Sequence, residues 1–298
     1  MNNIYLAKYA SAVENALKLK PVTNEFGDVE KLRADGYIEL PTDASILSKY
    51  NLFRAYMDII ETEKSEGVLA FNTSATLPAF IDENSQAFIE DNNTVETRYR
   101  AYKLGLITKV KLSTINDIRI NMTDYLKKSL SKRYGKAEEN VILNGTGVKE
   151  PLGLLNQDLG CVSAPDVTYD SVIDLFFSLN KDYRDEAVFV TNDETALKLR
   201  QLKDGSGQYL WNNADGTILG KKVLISNYMT TPSKPILFGN FTYITFLLRE
   251  RIHVKVLREL YSGEGEVGYA SKERLDFKLT EENAVKVLIL DGEAESQE

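Results

Sequence analysis

Hydrophobic residues recur at helical spacing across residues 122–143. The steps between them are four, four, three and four residues, as on one face of an α-helix, and this face consists of Leu126, Leu130, Tyr134, Ala137 and Val141. The opposite face carries the charged residues Lys127, Lys128, Lys132, Arg133, Lys136, Glu138 and Glu139. The pattern predicts an amphipathic helix that rests on a sheet or a loop layer. A helix of roughly twenty residues, at ~1.5 Å per residue, is a rod of ~30 Å, and we call it the spine helix.

A glycine-rich turn, NGTGVKEPLGLL at residues 144–155, follows the spine helix. Its candidate turn residues are Gly145, Gly147, Pro151 and Gly153. We predict that Asn144 and Gly145 take positive φ values, which would end the helix. Such glycines also let backbone N–H groups bind an anion, but a dinucleotide-binding turn follows a strand and opens a helix. This turn follows a helix, so the sequence favours a structural reversal of the chain.

A second pair of glycines, in GTILGK at residues 216–221, resembles a phosphate-binding P-loop only in part. A P-loop has the form GxxxxGK[ST]. Here the glycines are one residue closer together, and Lys222 takes the place of the Ser or Thr that would hold magnesium. We interpret the segment as a turn that leads into a strand at residues 222–225.

Residues 67–104 form a long, mostly polar segment with strand-like pieces at 68–71, 87–89 and 95–102. A polar segment of this length is unusual inside a compact domain. Two interpretations remain open from the pattern alone. The segment is either an extended two-stranded hairpin that reaches a partner or a peripheral sheet of the same domain.

The rest of the chain mixes helical and strand patterns. Helices are predicted at residues 166–179 and 193–203, the second with Asn192 as its N-cap. Short hydrophobic runs predict strands at residues 106–112, 187–190, 223–225, 236–238, 252–257, 274–279 and 284–290. The sequence therefore predicts an α+β fold.

Charge and composition exclude several classes of function. The chain has 298 residues and a formal net charge of −8, which argues against a protein that grips nucleic acid through a basic face, although not against one that encloses it. The chain contains one histidine, His253, and one cysteine, Cys161. These are too few for a histidine–cysteine metal site or an internal disulfide. We therefore predict no catalytic, metal or cofactor residues. The absence of a secretory signal favours a reducing cytoplasm.

Carboxylates are abundant, but their spacing identifies no catalytic pair. Asp182, Asp185 and Glu186 form one group, and Glu264 and Glu266 form another. Acid–base catalysis needs two such groups to converge on a substrate. We interpret both groups as solvated loop residues.

Several segments resemble, in order, the major capsid proteins of tailed bacteriophages, which have the Hong Kong 97-type fold. They are the spine helix with its NGTGVKEPLGLL turn, LRQLKDGSGQYLW at 199–211, GTILGKKVLIS at 216–226, FGNFTYITFLLRERIHVKVL at 238–257 and ERLDFKLTEENAVKVLIL at 273–290. The resemblance covers about residues 50–290. It implies an N-terminal arm at residues 1–43 and a peripheral domain at 44–155, which contains an extended loop at about 67–104 and the spine helix at about 122–143. It also implies an axial domain at 156–250, followed at 251–298 by strands that return to the peripheral domain and by a polar tail.

The resemblance implies a structural function without cofactors. Copies of the chain would assemble into pentamers and hexamers of an icosahedral shell that encloses double-stranded DNA without sequence-specific binding. Further implied partners are a scaffolding protein, a portal and a prohead protease; no membrane is involved, and assembly would take place in the bacterial host cytoplasm. Some relatives carry a scaffolding segment ahead of the arm or a lysine–asparagine cross-link between subunits, and the sequence identifies neither here. The alternatives are an encapsulin-type compartment that holds a cargo protein and, less favoured, a hydrolase or nucleotide-binding enzyme.

Overall fold

The computed structural model describes residues 22–23, 29–30, 38–39, 44–72, 80, 94–113, 122–203, 206–209, 211 and 216–290. Most of the predicted N-terminal arm, the middle of the predicted extended loop with its strand at 87–89, and the polar tail at 291–298 lie outside the described residues.

The described helices are α1 (Ala44–Tyr50), α2 (Met122–Asn144), α3 (Tyr169–Ser178), α4 (Lys181–Arg184) and α5 (Asp193–Gln201), and α2 is the spine helix. The first strands are β1 (Val22–Thr23), β2 (Val29–Glu30), β3 (Ile38–Glu39), β4 (Asp58–Glu61), β5 (Glu66–Asn72), β6 (Thr94–Arg100), β7 (Tyr102–Lys111) and β8 (Gly160–Ala164). The others are β9 (Val188–Thr191), β10 (Thr217–Ile218), β11 (Lys221–Ile225), β12 (Ile236–Gly239), β13 (Ile244–Leu257), β14 (Glu266–Leu279) and β15 (Val285–Leu290). A 3-10 helix, Leu52–Ala55, follows α1.

Two sheets organise the chain. A five-stranded sheet has the order β3-β13-β14-β7, with β4 paired in parallel to β13. A six-stranded sheet has the order β10-β11-β9-β12-β15-β8. Strands β5 and β6 form a separate two-stranded antiparallel ribbon. The spine helix packs on the five-stranded sheet, while α3 and α5 pack on the six-stranded sheet.

Three clusters of buried hydrophobic residues stabilise this arrangement through the removal of apolar surface from water. One joins the first half of the spine helix to the five-stranded sheet and includes Leu126, Leu130 and Val254. A second lies under α3 and α5. The third contains the end of the spine helix and residues of both sheets, such as Ile142, Val190 and Phe246. This third cluster connects the two sheets into one structure.

Local sequence signals explain the helix starts that the structure describes. The side chain of Asn192 accepts a hydrogen bond from the Thr195 N–H at 2.8 Å, which confirms the predicted N-cap of α5. Helix α3 begins after Thr168, whose hydroxyl accepts from the Ser171 N–H while the Ser171 hydroxyl oxygen accepts from the Thr168 N–H. This reciprocal capping box satisfies N–H groups that the first turn of a helix leaves without partners.

Strands β13 and β14 are much longer than the predicted strands at 252–257 and 274–279, since each has fourteen residues. The missed portions contain charged residues, which weaken a hydrophobic pattern. These charges pair across the strands: the Glu250 carboxylate lies 3.5 Å from the Lys272 ammonium and 3.7 Å from the Arg274 guanidinium. Cross-strand pairs of opposite charge stabilise an antiparallel sheet.

The last two long strands lie in different sheets. Strand β14 joins β13 and β7 in the five-stranded sheet. Strand β15, however, lies between β12 and β8 in the six-stranded sheet. Its buried residues Val287 and Leu288 face the two clusters that contact this sheet. The chain therefore ends its described part in the other sheet, where burial of β15 completes the core.

Candidate functional site

The first half of the spine helix contacts the five-stranded sheet through apolar residues. Leu126, Leu130 and Tyr134 are all buried there. The Tyr134 hydroxyl donates to the Ser271 hydroxyl at 3.0 Å, which in turn donates to the Leu106 carbonyl at 3.0 Å. Burial raises the pKa of the Tyr134 hydroxyl, and the hydrogen bond to Ser271 offsets part of this rise. The hydroxyl therefore stays protonated and acts as a hydrogen-bond donor.

The second half of the spine helix differs from the predicted face. Ala137 and Val141 are only half-buried, whereas Ile142 and Leu143 are fully buried. Glu138 and Glu139 were predicted on the solvent face but have exposed fractions of 1% and 6%. The buried face continues in steps of four residues from Leu126 to Ile142, and such steps turn gradually around a helix of 3.6 residues per turn. The sequence pattern misplaces Glu138 and Glu139 because it assigns charged side chains to solvent by residue type alone.

Glu138 is buried because it has several hydrogen-bond donors. The Arg54 guanidinium binds its carboxylate in a bidentate pair, with Nε donating to Oε2 at 2.6 Å and Nη2 to Oε1 at 2.7 Å. The Asn51 side-chain amide also donates to Oε2, at 2.9 Å. A bidentate arginine–carboxylate pair is strong and orients both side chains. It attaches the segment after α1 to the spine helix.

A second buried carboxylate, that of Glu273 on β14, lies 3.6 Å from the Arg54 guanidinium. Burial and the nearby Glu138 carboxylate raise the pKa of Glu273 well above its usual range, and Arg54 only partly opposes the rise. One guanidinium therefore faces two buried carboxyl groups, and the geometry favours a protonated Glu273. We call Arg54, Glu138 and Glu273 the buried charge cluster. It connects the segment after α1, the spine helix and the five-stranded sheet.

Glu139 extends this connection toward the six-stranded sheet. Its carboxylate accepts a hydrogen bond from the Ser226 hydroxyl at 2.6 Å, directly after β11. It also accepts from the Leu52 backbone N–H at 3.1 Å. Neighbouring residues of the spine helix, Glu138 and Glu139, thus hold different parts of the molecule. Their positions fix the spine helix relative to both sheets.

The glycine turn after the spine helix is closed by its own hydrogen bonds. The Gly145 N–H donates to the Val141 carbonyl at 2.9 Å, and the Gly153 N–H donates to the Gly145 carbonyl at 2.8 Å. The Thr146 N–H donates to the Glu150 carboxylate at 3.0 Å. Because these donors already have acceptors, one of them a carboxylate, they do not form a cradle for phosphate.

The predicted reason for glycine at this turn was wrong. Asn144 is the last residue of the spine helix, and the positive-φ residues do not include Asn144 or Gly145. Gly145 is required by space, since an added Cβ would lie 2.1 Å from the Pro151 carbonyl oxygen. Gly153 is equally confined, because its Cβ would lie 2.4 Å from the Gly145 nitrogen. Only Gly147 in this turn has a positive φ, of 78°.

The second glycine turn is a tight hairpin that leads into β11, as predicted from GTILGK. Leu219 and Gly220 both have positive φ values, 51° and 72°, which is the backbone of a type I′ turn between β10 and β11. An open cleft of about 420 Å³ lies beside it, lined in part by Lys221, Lys222 and Glu186. The hairpin therefore presents no P-loop.

The two-stranded ribbon of β5 and β6 is anchored at one end. The Arg100 N–H donates to the Asp276 carboxylate of β14 at 2.9 Å. Tyr99 covers Gly67 on the facing strand, where an added Cβ would lie 2.6 Å from the tyrosine hydroxyl. Farther along the ribbon, Val68 and Val95 lie on opposite faces and are each 50% exposed. An isolated two-stranded ribbon is marginally stable, and each face of this one leaves a valine half-exposed.

Within the described residues, the candidate groups of the sequence form no metal-binding cluster. No three of their His, Cys, Asp or Glu side chains come together as metal ligands would. His253 is buried in β13 and Cys161 lies exposed in β8, in different sheets. Asp182, Asp185 and Glu186 are exposed near α4, and Glu264 and Glu266 both lie near the Lys109 ammonium. None of the described helices has the length and hydropathy needed to cross a membrane.

Comparisons with known proteins agree with this architecture. The profile described as the Phage capsid family matches residues 44–289. The capsid of an empty GTA particle has a similar structure, with a TM-score of 0.68 at 22% identity over 93% of this chain and 97% of that one. The capsid of a native GTA particle gives 0.66 at 21% identity, over 82% and 90% of the two chains. A chain from Microbacterium phage Oxtober96 gives 0.60 at 16% identity, over 93% and 98%. No curated protein matches the sequence.

Proposed function

Because this chain belongs to the phage capsid family, we propose that its copies assemble as pentamers and hexamers into an icosahedral shell that encloses double-stranded DNA. Family membership makes it a structural protein of the virion capsid, specifically a major capsid protein. The observation that carries the proposal is the family match across residues 44–289. The similar folds of the GTA and phage capsid structures support it.

The two sheets suggest how one subunit is divided within the shell. The spine helix and the five-stranded sheet would form the peripheral domain, and the six-stranded sheet with α3 and α5 would form the axial domain at the centre of each pentamer or hexamer. The buried charge cluster and Glu139 support a fixed arrangement of these two domains, because they hold the spine helix against parts of both sheets. A fixed angle between the domains would give each subunit a defined shape for repeated packing.

The ribbon of β5 and β6 would be the base of the extended loop that covers a neighbouring subunit. Its anchored end and its half-exposed Val68 and Val95 support this role. Burial of either side chain against a neighbour would supply apolar contacts that a two-stranded ribbon lacks by itself. The N-terminal arm at residues 1–43 would add a second contact between subunits. Gly145, Gly147, Pro151 and Gly153 would direct the chain from the peripheral to the axial domain.

The wider assembly would involve other proteins of the same particle. We include a scaffolding protein, a portal and a prohead protease as partners, with assembly in the host cytoplasm. The encapsulin-type alternative would use the same kind of shell around a cargo protein. The hydrolase or nucleotide-binding alternative is not favoured. The N–H groups of the first glycine turn already have acceptors, and the second glycine turn is a plain hairpin.

Electron microscopy of the expressed chain, with and without the scaffolding protein of the same particle, tests the proposal. We expect closed shells of uniform size. A chain that stays monomeric under every condition would contradict shell formation. Nucleic acid content of purified particles separates the leading function from the alternative: packaged DNA supports the former, whereas one stoichiometric cargo protein without DNA supports a compartment.

A further inference from the structure

The spine helix separates its charges in a way that its sequence does not reveal. Both acidic residues of its second half, Glu138 and Glu139, face inward, with exposed fractions of 1% and 6%. Its exposed cations are Lys128, Lys132, Arg133 and Lys136, and α1 adds the exposed Lys49 beside them. From residue 125 to residue 144, the helix exposes no carboxylate at all. Over these residues the charged groups on the outer surface are therefore all cationic, although the chain as a whole has a net charge of −8.

The cations form a regular row. Lys128, Lys132 and Lys136 are four residues apart and lie along one side of the helix. At a rise of ~1.5 Å per residue they are spaced by ~6 Å and span ~12 Å. The ring of Tyr50 lies 5.5 Å from the Lys132 ammonium of this row and 5.9 Å from the Lys49 ammonium, and Arg133 is the fifth exposed cation. We call these five cations the basic face.

This row is unfavourable for the helix itself. Like charges four residues apart destabilise a helix, and within the described part of the chain none of these three lysines has an ion-pair partner. Two lysines on the opposite face of the five-stranded sheet have acidic neighbours instead. Lys109 lies 2.6 Å from Glu264, and Lys278 lies 3.3 Å from Asp276. The row on the spine helix is therefore a cationic surface that an external anion would neutralise.

We propose that the basic face binds the phosphate backbone of double-stranded DNA without sequence preference and forms the inner surface of the shell. The inference rests on the proposed function and assigns the side of the subunit that contacts the enclosed DNA. Duplex DNA carries one negative charge per ~1.7 Å of its axis, so a straight row of cations meets a continuous line of anions. A few such contacts are weak and sensitive to salt, which suits a wall whose net charge repels DNA elsewhere.

A salt titration tests the basic face directly. The affinity of the full chain for a short fluorescent DNA duplex is measured by anisotropy over a range of salt concentrations. The test variant is Lys128→Gln/Lys132→Gln/Lys136→Gln. Its matched control is Lys103→Gln/Lys109→Gln/Lys111→Gln, which removes the same charge from the outward positions of β7 on the other side of the sheet. Each phosphate contact contributes ~0.9 to the slope of log K against log salt, so the test variant should lower the slope by about 3, and the control should leave it unchanged.

Two results would overturn the inference. One is equal slopes for the test and control variants. The other is binding of a poly-glutamate peptide at least as tight as that of a DNA duplex of equal charge, which would assign the basic face to an acidic protein partner. Electron microscopy of the same proteins reports shell formation separately. Failure to form shells would reject the proposed function, whereas intact shells with an unchanged DNA slope would reject only the basic face.

Discussion

The two halves of the spine helix are held in different ways. The first half packs through Leu126, Leu130 and Tyr134 against one sheet. The second half uses Glu138 and Glu139, whose partners come from the segment after α1 and from the end of β11. Apolar contact is non-directional, whereas a bidentate ion pair fixes geometry. The first half is therefore held mainly by burial, whereas the second half adds directional ion pairs and hydrogen bonds to the burial of Ile142 and Leu143.

The largest effect should come from removing Arg54, the cation that pairs with the second half of the spine helix. Arg54→Ala leaves Glu138 and Glu273 without their shared guanidinium in a buried site. Removal of one partner from a buried ion pair costs about 3–5 kcal/mol, and we expect a loss near the middle of that range in the free energy of urea-induced unfolding. Arg133→Ala on the exposed side of the same helix is the control and should cost at most ~0.5 kcal/mol. Equal losses for the two variants would show that the buried charge cluster does not hold the helix.

A cavity in the first half should cost slightly less. Leu130→Ala removes a side chain that is 1% exposed, and substitutions of this kind cost about 2–5 kcal/mol. We expect a loss of about 3 kcal/mol in the same urea measurement. The same substitution at Leu197, which is 57% exposed on α5, is the matched control. A comparable loss at both positions would contradict apolar packing as the role of the first half.

In the turn that follows the spine helix, Gly145 and Gly147 should respond differently to substitution by alanine. Gly145→Ala places a Cβ 2.1 Å from a backbone oxygen, and such overpacking costs about 1–3 kcal/mol or more. In Gly147→Ala the added Cβ contacts only Leu152, at 3.2 Å or more. The main cost is the positive φ of 78°, which strains an alanine by about 1–2 kcal/mol. Thermal unfolding of both variants should rank Gly145→Ala as the more damaging. The reverse order would favour positive φ over close backbone contact as the constraint.

The smallest effect, within any one pH unit, should be a change in pH dependence. Since the folded-state pKa of Glu273 is raised above 4.5, its contribution to stability is complete below the unfolded-state pKa. That contribution is lost as the pH rises through the folded-state pKa. Glu273→Gln removes this loss, so its stability relative to the wild type should increase with pH above ~4.5, by at most ~1.4 kcal/mol per pH unit. Melting temperatures across a pH series measure the difference, and a constant difference would contradict a protonated Glu273.

Sequence reasoning succeeded where a contact is apolar or local. The spacing of Leu126, Leu130 and Tyr134 identified the buried side of the first half, and Asn192 signalled the start of α5 from its own residue type. It failed for the second half because the partner of Glu138 is Arg54, 84 residues earlier. A pattern that assigns charge to solvent does not detect a buried ion pair between distant segments.

The same limit applies to the turn and to the last strand. The reason for glycine at position 145 is the nearby Pro151 carbonyl, a contact between two parts of the turn that no single-residue preference predicts. The sheet that contains β15 is set by its pairing with β8 and β12. Hydrophobic alternation identifies a strand, but the choice between two sheets depends on contacts with distant residues.

Cryo-electron microscopy of particles assembled from the full chain would show which side of the shell wall the spine helices face. We expect closed icosahedral shells in which the spine helices turn Lys128, Lys132 and Lys136 toward the interior. Closed shells with these lysines on the outer surface would contradict the assigned orientation. A chain that forms no shell, even with the scaffolding protein of its own particle, would contradict the account as a whole.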